Sequence, residues 1–160
     1  MTASTHETTI DVVADAPAIR IVREFDAPPE KVFRAHTDPA LAKQWLGPRG
    51  LTMTIERWDA ETGGNYRYTH ADADGTYRFY GSFHEVRENE RIVQTFTYDG
   101  YPDGVALETM TFTDLGGGRT RIDGTSMFES TQARDWILAS GMEVGVNEGY
   151  EQLDELLARP

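Results

Sequence analysis

The chain has 160 residues, no cysteine and a formal net charge of −12, from 15 basic and 27 acidic side chains. That length fits one domain with a sizeable core, and the charge repels phosphate backbones and anionic surfaces, so nucleic acid is not an expected partner. Without cysteine there is no disulfide, no thiolate catalysis and no cysteine-ligated metal.

Residues 1–17 are polar, with His6, Glu7, Asp11 and Asp15, and are expected to form a flexible tail before a single domain over 18–160, although Ile10 to Val13 could add an edge strand. No basic stretch precedes an apolar run there, so no secretory signal is read and a cytoplasmic protein is expected. None of the apolar runs approaches the length of about eighteen residues that a membrane helix needs, and membrane insertion is not expected.

Ala18 to Phe25 alternates Ile19, Ile21 and Phe25 with charges, the pattern of a half-buried strand. Asp26-Ala27-Pro28-Pro29-Glu30 stops it and starts a short helix, with Asp26 the expected cap and Val32, Phe33, Ala35 and His36 on its apolar face. Asp38-Pro39 opens a second helix carrying Leu41, Trp45 and Leu46, ended by Gly47-Pro48. From Leu51 to Phe128 the spacing of Gly, Asp and Asn predicts strands near Met53 to Trp58, Asn65 to Ala71, Thr76 to Val86, Arg91 to Tyr98, Val105 to Thr113 and Thr120 to Phe128. With the first strand they make a seven-stranded, mostly antiparallel sheet. Beyond Glu129 the period changes to about 3.6: a segment over Thr131 to Ala139, a break near Ser140-Gly141, then a long helix with Met142, Val146, Gly149, Leu153 and Leu157 on one face. Glu143, Glu148, Glu151, Asp154 and Glu155 read as its solvated face, and Gly145 and Gly149 permit close approach to whatever lies beneath.

The resulting class is α+β: a curved sheet gripping the C-terminal helix, two short helices closing one end, and a cavity between helix and sheet. Strand parity points Tyr66, Tyr68 and His70 inward, then Tyr77, Phe79 and Phe83, then Ile92, Phe96 and Tyr98, then Glu108, Met110 and Phe112, and finally Ile122, Ser126 and Phe128. A one-residue bulge would invert any of these assignments. With Trp45, Trp58, Met142 and Val146 added, the aromatic and aliphatic members of this set are the expected ligand-binding lining.

Trp45-Leu46-Gly47-Pro48 after two short helices, Gly63-Gly64-Asn65-Tyr66-Arg67-Tyr68, Gly81-Ser82-Phe83-His84-Glu85-Val86 and Gly141-Met142-Glu143-Val144-Gly145 resemble the SRPBCC superfamily. Within it the chain is similar to the branch named after the activator of the heat-shock-chaperone ATPase, over about Ile19 to Ala158. The resemblance implies a START-like helix-grip fold. It implies no single function, because members include lipid carriers, hormone receptors, aromatic polyketide cyclases and oxygenase domains. It supplies no invariant catalytic residue. Gly63-Gly64 then reads as a tight turn or bulge, and Trp45 as a seal at the end of the cavity.

The histidines are His6, His36, His70 and His84, without His-x-His or His-Glu-x-x-His spacing, so neither a metal nor a cofactor is expected. Only His70 falls inside by parity. Beside Glu108 it could form an acid-base pair; the preferred reading is a solvated residue at a strand end before Asp72 and Asp74. Tyrosine hydroxyls, or Arg57, could stabilise an enolate in a cyclase. Ser82 lacks a nucleophile elbow, and Gly116-Gly117-Gly118 reads as a hairpin turn with no helix after it. The expected function is binding of a small hydrophobic or aromatic molecule, by a monomer or homodimer. The alternatives are a cyclase- or hydrolase-like enzyme using general acid-base chemistry and, suggested only by the family name and not favoured, a chaperone-interaction module.

Overall fold

The edge strand that Ile10 to Val13 could add is present, and it extends the sheet beyond the seven strands expected. The computed structural model describes residues 6–160, and the Met1–Thr5 part of the expected flexible tail lies outside the described residues. Thr9–Val13 forms β1 and pairs antiparallel with β2, Ala18–Phe25, in the register Thr9↔Val22 to Val13↔Ala18. The sheet therefore has eight strands rather than seven. β-branched Ile10, Val12 and Val13 suit an exposed strand edge, and Ala14 to Pro17 is long enough to turn the chain back.

The helices α1, Pro29–Thr37, and α2, Pro39–Ala42, follow. Pro28, not Asp26, occupies the α1 cap, and Asp26 Oδ1 instead lies 2.8 Å from His6 Nε2. α2 is shorter than expected, a four-residue turn capped by Asp38, whose carboxylate accepts from the Ala40 amide at 2.9 Å. Beyond Ala42 the chain continues in turns rather than regular helix, with the Gln44 amide donating to Leu41 and the Trp45 amide to Ala42, until Gly47-Pro48.

The remaining strands are β3 (Thr52–Trp58), β4 (Asn65–Asp72), β5 (Gly75–Arg87), β6 (Arg91–Tyr98), β7 (Ala106–Gly116) and β8 (Arg119–Met127), all antiparallel, in the order β1-β2-β8-β7-β6-β5-β4-β3. Register shifts between Ile55 and Arg57 and between Phe83 and Glu85 mark bulges. The first returns Trp58 to the inner face opposite Tyr66 and leaves Arg57 exposed on the outer one. Arg57 thus cannot serve as the enolate-stabilising group.

Helix α3, Thr131–Ala139, is capped by Ser130, and α4, Met142–Leu157, begins after Gly141. Gly149 of α4 is buried, and Tyr150, Leu153 and Leu157 join one cluster with Phe25, Phe112 and Ile122 from one half of the sheet and Tyr66, Tyr68 and Phe83 from the other. A single helix touching both halves requires the sheet to curl around it. A side chain at Gly149 would stand 3.3 Å from the Trp45 carbonyl and 3.4 Å from the Gly47 amide. The α4 glycine therefore lets the helix seat directly on the Trp45–Pro48 turn, where Gln152 Nε2 donates to the Gly47 carbonyl at 2.9 Å.

The acidic side of α4 is not simply solvated. Arg49 donates from its backbone amide to Glu148 at 2.9 Å and from its guanidinium to Glu155 at 2.7 Å. Asp154 reaches under the helix to Arg23 on β2, in a two-pronged ion pair of 2.9 and 2.5 Å. Arg23 shares the inner face with Ile19, Ile21 and Phe25 and is only 3% exposed.

Candidate ligand site on the inner face

The inner face divides into a sealed end and a more open one. At the sealed end, Trp45, Tyr66, Phe83 and Phe112 are buried against α1 and the C-terminal half of α4. Trp45 donates its indole N–H to the Ala35 carbonyl at 2.9 Å and stacks on Tyr150 with centroids 6.1 Å apart. It therefore packs as core, sealing that end. Trp58 lies beside Tyr66 and Tyr68, 5.4 and 5.9 Å away between centroids.

Toward the other end, Phe79, Phe96, Tyr98 and Met110 on the sheet and Met142 and Val146 on α4 are half-buried. Their rings form a continuous ladder: Tyr66 to Tyr68 at 6.0 Å, Tyr68 to Phe79 at 5.3 Å and Phe79 to Phe96 at 5.4 Å, each pair stacked, with Tyr98 tilted against Phe79 at 5.4 Å. Side chains thus fill much of the concavity, and the accessible part is an apolar wall between the ladder and the start of α4. Tyr77, expected inside, shares the row of His70 but is 38% exposed, because β6 pairing stops at Phe79↔Tyr98 and leaves it without a neighbour on that side. Two depressions lie elsewhere. One of about 290 Å³ is lined by His6, Glu7, Thr8, Arg23, Asn147 and Glu151. The other, about 330 Å³, lies between α1 and the β5–β6 turn, lined by Glu30, Phe33, Arg34, Thr37, Glu88 and Asn89.

The polar element of the inner face is a row across the central strands: Gln94, Glu108 and Ser126 are register neighbours on β6, β7 and β8. Gln94 Nε2 donates to one Glu108 oxygen at 3.0 Å and Ser126 Oγ to the other at 3.2 Å. Desolvation raises the Glu108 pKa above the usual carboxylate range, and these two donors oppose the rise. The residue is nevertheless half-buried rather than sealed. Its charge reaches the Tyr66, Tyr68 and Tyr150 hydroxyls, whose pKa values burial has already raised, that of Tyr150 to about 12. Tyr66 donates to the Thr95 carbonyl at 2.6 Å. The Tyr68 and Tyr150 hydroxyls have no hydrogen-bond partner among the described residues.

His70 is buried, 5% exposed, and so is not the solvated residue that the strand-end position suggests. Its ring stands edge-on to Tyr68 and Phe79 and directly over Gly47, where a side chain would fall 2.7 Å from the imidazole. Burial alone lowers its pKa. It forms no pair with Glu108: His70 sits in the Met53–Tyr77 row and Glu108 opposite Gln94, which itself pairs with Phe83, six positions from Tyr77 along β5. His36, expected on the apolar face of α1, is buried there, 8% exposed. Its Nδ1 lies 2.8 Å from the Val32 carbonyl, and its Nε2 is buried without a partner among the described residues. Among the described residues no group of three metal-binding side chains converges.

An eight-stranded antiparallel sheet curled around a long C-terminal helix, with two short helices after β2, is the helix-grip arrangement of SRPBCC proteins. The chain matches the family described as "Activator of Hsp90 ATPase homolog 1-like protein" over residues 26–158, and it belongs to that family. Similar solved structures include a protein from Arthrobacter aurescens, 27% identical, covering 95% of this chain and 92% of that one with a TM-score of 0.85. Another, from Rhodobacter sphaeroides, is 29% identical with coverages of 94% and 97% and a TM-score of 0.84. A Mycobacterium smegmatis protein, at 23% identity, coverages of 96% and 99% and a TM-score of 0.86, shares the fold. No curated protein matches the chain.

Proposed function

We propose that this protein binds a small hydrophobic or aromatic molecule on its inner face, between the ring ladder and the N-terminal half of α4. The observation that carries the reading is the half-buried state of Phe79, Phe96, Tyr98, Met110, Met142 and Val146, which gathers accessible apolar and aromatic surface at one end of the inner face, whereas Trp45, Tyr66, Phe83 and Phe112 are buried at the other. Flat apolar ligands gain from such a wall by area burial and by offset stacking on its rings. An acid-base enzyme is the second reading, favoured by the raised Glu108 pKa beside the partnerless Tyr68 hydroxyl; without a His70 partner, Glu108 would have to carry the proton alone.

A thermal-shift screen of aromatic and lipid-like compounds tests the binding reading. A ligand at about a hundred times its Kd adds roughly 2.7 kcal/mol of stability, a rise of several degrees in Tm. Val146→Trp, which places an indole over the wall, should abolish that rise while the variant itself remains folded. Absence of any stabilising compound, or an equal shift in the variant, would contradict this location.

A further inference from the structure

The wall is apolar, and the group within it that can choose between ligands is Glu108. This inference rests on the binding reading above and deepens it. On β7 the carboxyl is followed on the same face by Met110, and on β6 the diagonal neighbour is Phe96, so Glu108 borders the open part of the face. Gln94 and Ser126 give each carboxylate oxygen one donor, which leaves about half of its roughly four acceptor sites unused. No cationic side chain forms an ion pair with it among the described residues, and no positive charge contributes to its titration. The titratable groups that face it are hydroxyls: Tyr66 and Tyr68 from β4 and Tyr150 from α4. Arg23 lies beyond Tyr150, already engaged by Asp154.

We propose that Glu108 is the specificity residue of this face and that it selects a protonated amine, the ligand's ammonium docking on the carboxylate while its apolar body lies on Phe96 and the adjoining rings. A carboxylate partly withdrawn from water is costly unless a cation joins it, and no cationic side chain among the described residues does so. Aromatic faces attract cations as well, and the Tyr68 and Tyr150 hydroxyls can each accept from an ammonium N–H. An anionic ligand of the same shape meets repulsion instead. Because burial favours the neutral acid, amine binding holds Glu108 ionised and is strongest where the amine is protonated and the carboxyl is not.

The test compares 2-naphthylmethylamine with 2-naphthylmethanol, matched in shape, by calorimetric titration at neutral pH. Wild-type protein should bind the amine at least about tenfold more tightly, the worth of one modest charge-assisted contact. In Glu108→Gln, checked for a cooperative melt, the two affinities should converge to within about threefold; in Ser126→Ala, which keeps the charge, the preference should persist. Equal affinities in the wild type, or a preference retained in Glu108→Gln, overturns the inference and leaves the binding reading intact. Binding of neither probe also overturns it, and the binding reading is then decided by the wider thermal-shift screen. The wild-type comparison needs no variant, so a misfolded Glu108→Gln protein does not rescue the proposal.

Discussion

Asp154→Ala is expected to lower the unfolding free energy by about 3–5 kcal/mol, the cost of stranding a buried cation. Arg23 is 3% exposed on the inner face of β2, and Asp154 is its carboxylate partner, through hydrogen bonds of 2.9 and 2.5 Å. The Glu24 carbonyl accepts a further bond at 2.7 Å, the Phe25 ring lies 4.8 Å from the guanidinium carbon, and Nε has no partner among the described residues. Removing Asp154 leaves a charge that cannot deprotonate and that meets solvent only at the depression it lines with Asn147 and Glu151. The pair as a whole need not be stabilising, so the double variant Arg23→Met, Asp154→Leu should recover most of the loss. Urea unfolding of the two variants checks both statements. An Asp154→Ala protein within about 1 kcal/mol of wild type would mean that the pair is held as weakly as a surface one.

Acid should destabilise the fold through His36. Burial lowers its pKa to about 4, the Val32 carbonyl opposing that shift only in part. The carbonyl can only accept, so the proton resides on Nδ1, and a second proton would have to enter at Nε2, which is buried beside the rings of Trp45 and Phe112. The unfolded chain binds that proton near pH 6.5 and the folded protein not until about 4, so stability falls as the pH drops between them, by on the order of 3 kcal/mol in total. Glu108 acts in the opposite direction, since its raised pKa makes the folded state gain from acidification. The diagnostic quantity is therefore a difference. Between neutral pH and about 4.5, His36→Leu should lose roughly 2 kcal/mol less than wild type in urea titrations, and parallel pH profiles would place the acid sensitivity in another group.

Much of the architecture was legible because period-2 alternation and turn residues mark strands strongly, and the α4 stripe from Met142 to Leu157 marks a helix. What escaped was decided by tertiary partners. Ile10 to Val13 was legible as a possible edge strand within a tail read as flexible, and pairing with the edge of β2 is what orders it as β1. Arg57 and Trp58 exchanged faces at a bulge, which inverts parity locally. Arg23 lay at an inward position in plain view, yet only the arrival of Asp154 on α4 makes a buried arginine tenable. The site was legible as a set of residue types rather than as a cavity. The rings fall on the expected face, but whether they leave space depends on how they stack, and here they pack into a ladder that narrows the opening. His70 and Glu108 both turn inward, as parity required, and the strand register keeps them apart.

The most direct test of the central claim uses the five methionines. Met110 and Met142 border the proposed wall, Met53 is buried beside His70, and Met127 is 39% exposed on the outer face. In methyl-labelled protein titrated with a stabilising aromatic ligand, the Met110 and Met142 signals should shift together along one saturable curve while Met127 stays in place. Shifts at Met127 with none at Met110 or Met142 would contradict a ligand site on the inner face.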